Sequence, residues 1–255
     1  MRPPLRIAIL ECDSPLGRTK EKYGGYGPLF KELLNKGVKQ VVEHDGVDGV
    51  NVPELEIGWF DVVGQSDMYP DLEAWDAVLI SGSKFNSYDN DAWILKLVEF
   101  TKKVLKQNRV RLIGVCFGHQ IIGRALNVKV GRSDQGWEIA VTPIQLTPRG
   151  KEIFRLEELA IHQMHRDIVF EYPESVEALG HSDRCAVQGM YAKNRLITVQ
   201  GHPEFTGIIV DELLDVRHDM GIFNDELYKS GKSRVMNHHD GVAISAAFIR
   251  FLLDE

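Results

Sequence analysis

Residues 111–125 read RLIGVCFGHQIIGRA, and no other stretch of the chain restricts the fold so tightly. An apolar run through Leu112, Ile113 and Val115 stops at Cys116, which Gly114 and Gly118 flank. Gln120, Ile121, Ile122, Arg124, Ala125 and Leu126 then continue at helical spacing. The pattern predicts a strand, a sharp turn and a helix, with the thiol at the turn. A G-x-nucleophile-x-G turn strains the backbone of its central residue and leaves no room for side chains beside it. The thiol then lies at the tip of a sheet and at a helix N-terminus, where the dipole and free N–H groups favour thiolate.

The remaining elements can be ordered around this turn. Leu5–Leu10 reads as a buried strand and residues 13–27 as a loop ending in Tyr23-Gly24-Gly25-Tyr26-Gly27. A helix is expected from Pro28 to Asn35, closed by Gly37, with strands at Val38–Glu43, Trp59–Val63 and Asp76–Ile80. The last breaks at Ser81-Gly82-Ser83, and an amphipathic helix is expected over Asp91–Lys106. Strand-like runs then follow one another with little helix between them: Glu138–Leu146, Ala160–Met164, Val176–Gly180, Ala186–Tyr191 and Leu196–Gln200. That succession suggests antiparallel pairing. Helices return at Gly207–Val216, Asn224–Lys229 and Val242–Leu253. The expected fold class is α/β, a mainly parallel central sheet flanked by helices with a small antiparallel extension. Without a repeat or linker, residues 1–255 read as one domain, its motifs within about 5–215 and its C-terminal helices in 207–255. With 44% apolar residues the chain can bury a sizeable core.

A nucleophilic thiol needs a base, and the base needs an orienting group. His202 follows the apolar run Leu196-Ile197-Thr198-Val199, at a strand end, where α/β folds gather their sites. Glu204 is two residues on, so in extended chain both side chains point to the same side. Phe117 N–H, just past the thiol, and Gly82, where the backbone can approach a substrate, are the candidate oxyanion donors. His119 reads as a structural residue of the turn, and His238-His239-Asp240 as a solvated helix entry with Asp240 as N-cap rather than a metal cluster.

The segments GVCFGHQ, SGSKFNSYDNDAW, GRSDQGWEIAV, HQMHRD and QGHPEFT, in this order, resemble the class I glutamine amidotransferases, and within them the stand-alone branch of γ-glutamyl peptidases. The resemblance implies a flavodoxin-like architecture and a cysteine hydrolase that opens a γ-glutamyl amide through a γ-glutamyl thioester. Cys116 would be the nucleophile, His202 the base and Glu204 its partner, with Gly82 and Phe117 as oxyanion donors. Gln120 would hold the γ-glutamyl group, and the backbone of Met164 and His165 would meet its α-amino end. No metal or organic cofactor is implied. The substrate would be glutamine, glutathione or a glutathione conjugate. Ser81-Gly82-Ser83 replaces the Gly-Gly-Pro-type loop of many members, and Gly201 the usual aromatic residue. Both changes are expected to enlarge the pocket toward a larger γ-glutamyl substrate.

Three other readings fit parts of the pattern. An ammonia-donating subunit would need a separate synthetase partner. A non-catalytic regulatory or scaffold homologue would be free to lose Cys116, His202 or Glu204. A redox-sensing thiol would not need His202-Pro203-Glu204. A net charge of −7 with no long basic stretch argues against nucleic acid. No apolar run of membrane-spanning length occurs, and the N-terminus does not read as a signal peptide. Three cysteines, an odd count, fit a reducing cytoplasm better than a disulfide framework.

Overall fold

Runs that are apolar throughout, rather than alternating, form the centre of a nine-stranded sheet, as burial on both faces requires. The computed structural model describes residues 4–45, 54–64 and 68–254, so residues 1–3 and 255 of the terminal stretches considered above lie outside it. The first half runs β1 (Leu5–Glu11), α1 (Gly17–Tyr23), α2 (Tyr26–Asp45), β2 (Leu55–Asp61), a 3₁₀ turn at Leu72–Ala74, β3 (Ala77–Ile80), α3 (Ala92–Gln107), β4 (Arg111–Val115) and α4 (Phe117–Ala125). Next come β5 (Val130–Arg132), β6 (Glu138–Leu146), α5 (Pro148–Phe154), β7 (Leu159–His165), β8 (Asp167–Val169), β9 (Glu177–His181), β10 (Gly189–Ala192) and β11 (Leu196–Val199). The chain closes with α6 (Gly207–Asp219), α7 (Asp225–Arg234) and α8 (Gly241–Leu253).

The sheet order is β2-β1-β3-β4-β11-β10-β9-β6-β7. Its first five strands are parallel. From β11 outward the pairing is antiparallel. This is the mainly parallel α/β sheet with an antiparallel extension that the sequence predicts. One face is covered by α2, α5 and α8 through Phe30, Leu34, Phe154, Ile244 and Phe248. The other is covered by α3 and α4 through Ile94, Leu97, Ile121 and Ile122. A third cluster joins α6 to β6 and β7 through Ile209, Leu214, Ile139 and Met164.

Several local expectations change. Val38–Glu43 is not a strand but a continuation of α2, and Gly37 does not end that helix. A Cβ at Gly37 would lie 2.7 Å from the Ser245 carbonyl carbon, so this glycine lets α8 approach α2 closely. Burial of Val38 and Val41 then outweighs the ~1 kcal/mol propensity cost of a mid-helix glycine. Residues 13–27 are not all loop, because α1 forms there. Its first amides, Arg18 and Thr19, donate to the Glu212 carboxylate on α6 at 2.8 and 2.9 Å. Strand β2 ends at Asp61, whose Oδ1 accepts from the Val63 and Gly64 amides and turns the chain. Helix α5 was not expected, although Thr147 caps it and Pro148 opens it. Asp240 stands at the start of α8, but its side chain does not cap the helix. It accepts from Ala160 N–H at 2.7 Å instead.

Candidate active site

Three adjacent parallel strands, β3, β4 and β11, end side by side, and each hands its next residues to one point. Cys116 follows β4 with φ 50° and ψ −102°, a backbone conformation costing about 1–3 kcal/mol for a residue with a Cβ. Its N–H donates to Val199 O at 2.9 Å, which ties the turn to β11. Gly118 N–H donates to Ser81 O at 3.2 Å, and a Cβ at Gly118 would drive into the Ile80 backbone, whose carbonyl carbon is 2.8 Å away. Gln120 N–H is taken by Cys116 O at 3.1 Å. Phe117 N–H is the first of the orphan donors at the tip of α4.

His202 is 4% exposed and Glu204 3%. The His202 ring Nδ1 lies 2.8 Å from Glu204 Oε1, so Nδ1 carries the proton and Nε2 is left for the thiol. The ring stacks on Phe205, 4.0 Å between centroids and 2° between planes. Its backbone N–H is fixed by His162 O on β7 at 2.8 Å. Burial works against the imidazolium, yet the charges of Cys116 and Glu204 and hydrogen bonds to both outweigh it, and His202 is pushed up to about 10. A protonated imidazole between a thiol and a carboxylate can stabilise thiolate and then protonate a leaving group.

Gly82 closes the third side. A Cβ there would lie 2.7 Å from His202 Cε1 and 3.7 Å from Cys116 Cβ, so only glycine fits beside both side chains. A cavity of about 580 Å³ opens onto Gly82 and His202, within the ~300–1,000 Å³ span of small-ligand clefts. Asp13, Tyr26, Trp137, Met164, Arg166 and Arg217 line it. Among the described residues no group of three or more His, Cys, Asp or Glu is arranged to hold a metal ion.

Not every expected residue faces this cavity. Met164 lines it, whereas the side chains of Gln120 and His165 are buried in internal contacts, which does not bear on the backbone role expected of His165. Gln120 Nε2 donates to Asp167 O at 2.7 Å, and its Oε1 accepts from Ser87 at 2.9 Å. The Gln120 side chain is thus occupied by Ser87, Asp167 and Gln200. The His165 ring lies 3.1 Å from Glu138 Oε2. His119 is fully buried against Thr198, 2.7 Å from its hydroxyl, and burial pushes it down to about 3, which suits a structural residue. Ser83 lines the cavity, but Ser81 is buried and receives Cys12 N–H at 2.9 Å, locking β1 to β3. Gly201 does not widen the cavity. A Cβ there would meet Ile161 at 2.8 Å and His162 O at 3.0 Å, so its face belongs to the contact with β7. Arg217, Trp137 and Tyr26 had no site role in the sequence reading. They lie on three segments far apart in the chain and meet only at the cavity wall.

The family model and the curated relatives agree on one family, and the solved structures share its fold. The family model of glutamine amidotransferase class-I matches residues 38–211. A glutamine amidotransferase-like protein of Schizosaccharomyces pombe is 32% identical over 97% of this chain and 98% of its own. Gamma-glutamyl peptidase 2 of Arabidopsis thaliana is 32% identical over 90% of this chain and 88% of its own. The crystal structure of a glutamine amido transferase from Methylobacillus flagellatus superposes with a TM-score of 0.68 at 19% identity, covering 100% of this chain and 97% of that one.

Proposed function

The chain belongs to the class I glutamine amidotransferase family, and from that premise we propose that it is a cysteine hydrolase cleaving the γ-glutamyl amide of glutamine or of a γ-glutamyl peptide. The observation that carries this reading is the buried His202, its Nδ1 2.8 Å from Glu204 Oε1 and its ring beside Cys116 at the Gly82 position. Cys116 thiolate attacks the γ-carbonyl carbon. The oxyanion rests between the Gly82 and Phe117 amides. His202 gives its proton to the leaving amine, and the C–N bond breaks to leave a γ-glutamyl thioester. Neutral His202 then takes a proton from water, whose oxygen attacks the thioester. Collapse expels the thiolate, releases glutamate and restores the imidazolium. Glu204 keeps the imidazole in the productive tautomer throughout.

The test is a substrate panel of glutamine, glutathione and a glutathione S-conjugate. Cleavage by the wild type that disappears in Cys116→Ala, with an unchanged circular dichroism spectrum, supports the reading. Undiminished cleavage by that variant overturns it. Ammonia released from glutamine only in the presence of a partner protein favours the ammonia-donating subunit over the stand-alone peptidase. All three cysteines are free thiols, which supports a reducing, cytoplasmic setting.

A further inference from the structure

Two guanidinium groups reach the cavity with no carboxylate among the described residues paired to them. Arg166 and Arg217 both lie over the Trp137 ring, 5.0 and 4.8 Å from its centre. Arg217 Nη1 is buried with no hydrogen-bond partner. The nearby carboxylates are committed elsewhere. Asp13 takes Lys84 Nζ at 2.7 Å and Lys84 N–H at 2.9 Å. Glu138 takes Ser182 at 2.6 Å and Gln188 at 2.9 Å, and lies 3.1 Å from His165. A cation–π contact leaves the N–H donors unused, and a desolvated cation is costly until an anion completes it. Burial accordingly lowers Arg217 from its ordinary value.

The cavity fixes where that anion comes from. A γ-carbonyl held beside Gly82, at the cavity wall, leaves room in the 580 Å³ for what hangs from it. Glutamine brings one carboxylate, whereas a γ-glutamyl peptide brings two, and the cavity is lined by two arginines that pair with no carboxylate among the described residues. We propose that Arg217 is a specificity residue that binds a carboxylate on the leaving group, so the site prefers γ-glutamyl peptides with a free C-terminus to glutamine. This rests on the γ-glutamyl hydrolase reading above. The planar guanidinium, positioned by Trp137 and Phe223, is suited to a bidentate carboxylate contact.

The experiment measures kcat/KM of the wild type, Arg217→Met and Arg217→Lys on glutathione, its C-terminal amide and glutamine. Methionine keeps an apolar stem over Trp137. The expected result is wild-type preference for glutathione over its amide, and a loss on glutathione of about 10- to 100-fold in Arg217→Met, the worth of a charge-assisted contact. The amide and glutamine should fall far less, and Arg217→Lys should recover part of the glutathione rate. An equal fall on all three substrates overturns the assignment, since it places Arg217 on the γ-glutamyl carboxylate that they share. No loss on glutathione overturns it too. A wild type that cleaves none of the three refutes the hydrolase reading and this inference together.

Discussion

Gly82→Ala is the substitution on which the site geometry makes its sharpest demand. The added methyl would stand 2.7 Å from His202 Cε1 and 3.3 Å from His202 Nδ1. Carbon atoms rest at about 3.5–4.0 Å, so the contact falls short by ~1 Å. The ring cannot retreat freely, because Phe205 stacks on one face at 4.0 Å and Glu204 holds Nδ1 at 2.8 Å. Either the imidazole or the Ser81-Gly82-Ser83 backbone must therefore move by most of that shortfall. A shift of ~1 Å in a catalytic group costs about 10²-fold in rate. Displacing an oxyanion amide costs about 10²–10³-fold. The expected outcome is a kcat for γ-glutamyl hydrolysis reduced by about 10²–10³-fold, with stability lower by about 1–3 kcal/mol. Steady-state kinetics on the best substrate, beside urea unfolding of the same preparation, reads both. A variant within threefold of wild-type kcat would refute the reasoning, whatever its stability.

Other substitutions test separate links. Glu204→Gln removes the carboxylate that orients His202 and should lower kcat by about 10²–10⁴-fold while iodoacetamide still labels Cys116; unchanged kcat would show that Glu204 is a bystander. The folded state holds the His202 proton up to about 10, above the ordinary value near 6.5. Its contribution to stability is therefore complete below pH 6.5 and is lost as pH rises toward 10. Urea unfolding should show the wild type losing more stability over that window than Glu204→Gln, and parallel curves would contradict this. Gly37→Ala should destabilise by about 1–3 kcal/mol because α8 leaves no room for the methyl; a gain, as helix propensity alone predicts, would contradict the α2–α8 packing.

The central sheet was legible because its inner parallel strands β3, β4 and β11 are buried on both faces and so read as nearly unbroken apolar runs. The thiol turn was legible because Gly114, Cys116 and Gly118 carry its steric signature in three fixed positions. Local rules failed where distant contacts decide. Nothing near Gly37 announces that Ser245 lies against it, so a helix breaker was read where a helix contact exists. The first amides of helix α1 are met by Glu212, 194 residues on from Arg18. Gly201 follows the same logic: its missing side chain is explained by Ile161 and His162 O on β7, not by the substrate cavity. Gln120 stands beside the thiol in sequence, yet Ser87 and Asp167 claim its amide. Arg217 is the converse case, silent in sequence and exposed as unpartnered only when Trp137, Arg166 and α6 converge.

The central claim is a covalent γ-glutamyl enzyme at Cys116. Acid-quenching the wild type during turnover of a γ-glutamyl substrate, followed by peptide mass mapping, tests it directly. The account predicts a single γ-glutamyl adduct on the peptide that carries Cys116, absent from Cys116→Ala. Continued amide cleavage with no adduct on that peptide, or an adduct on Cys12 or Cys185 instead, would contradict it.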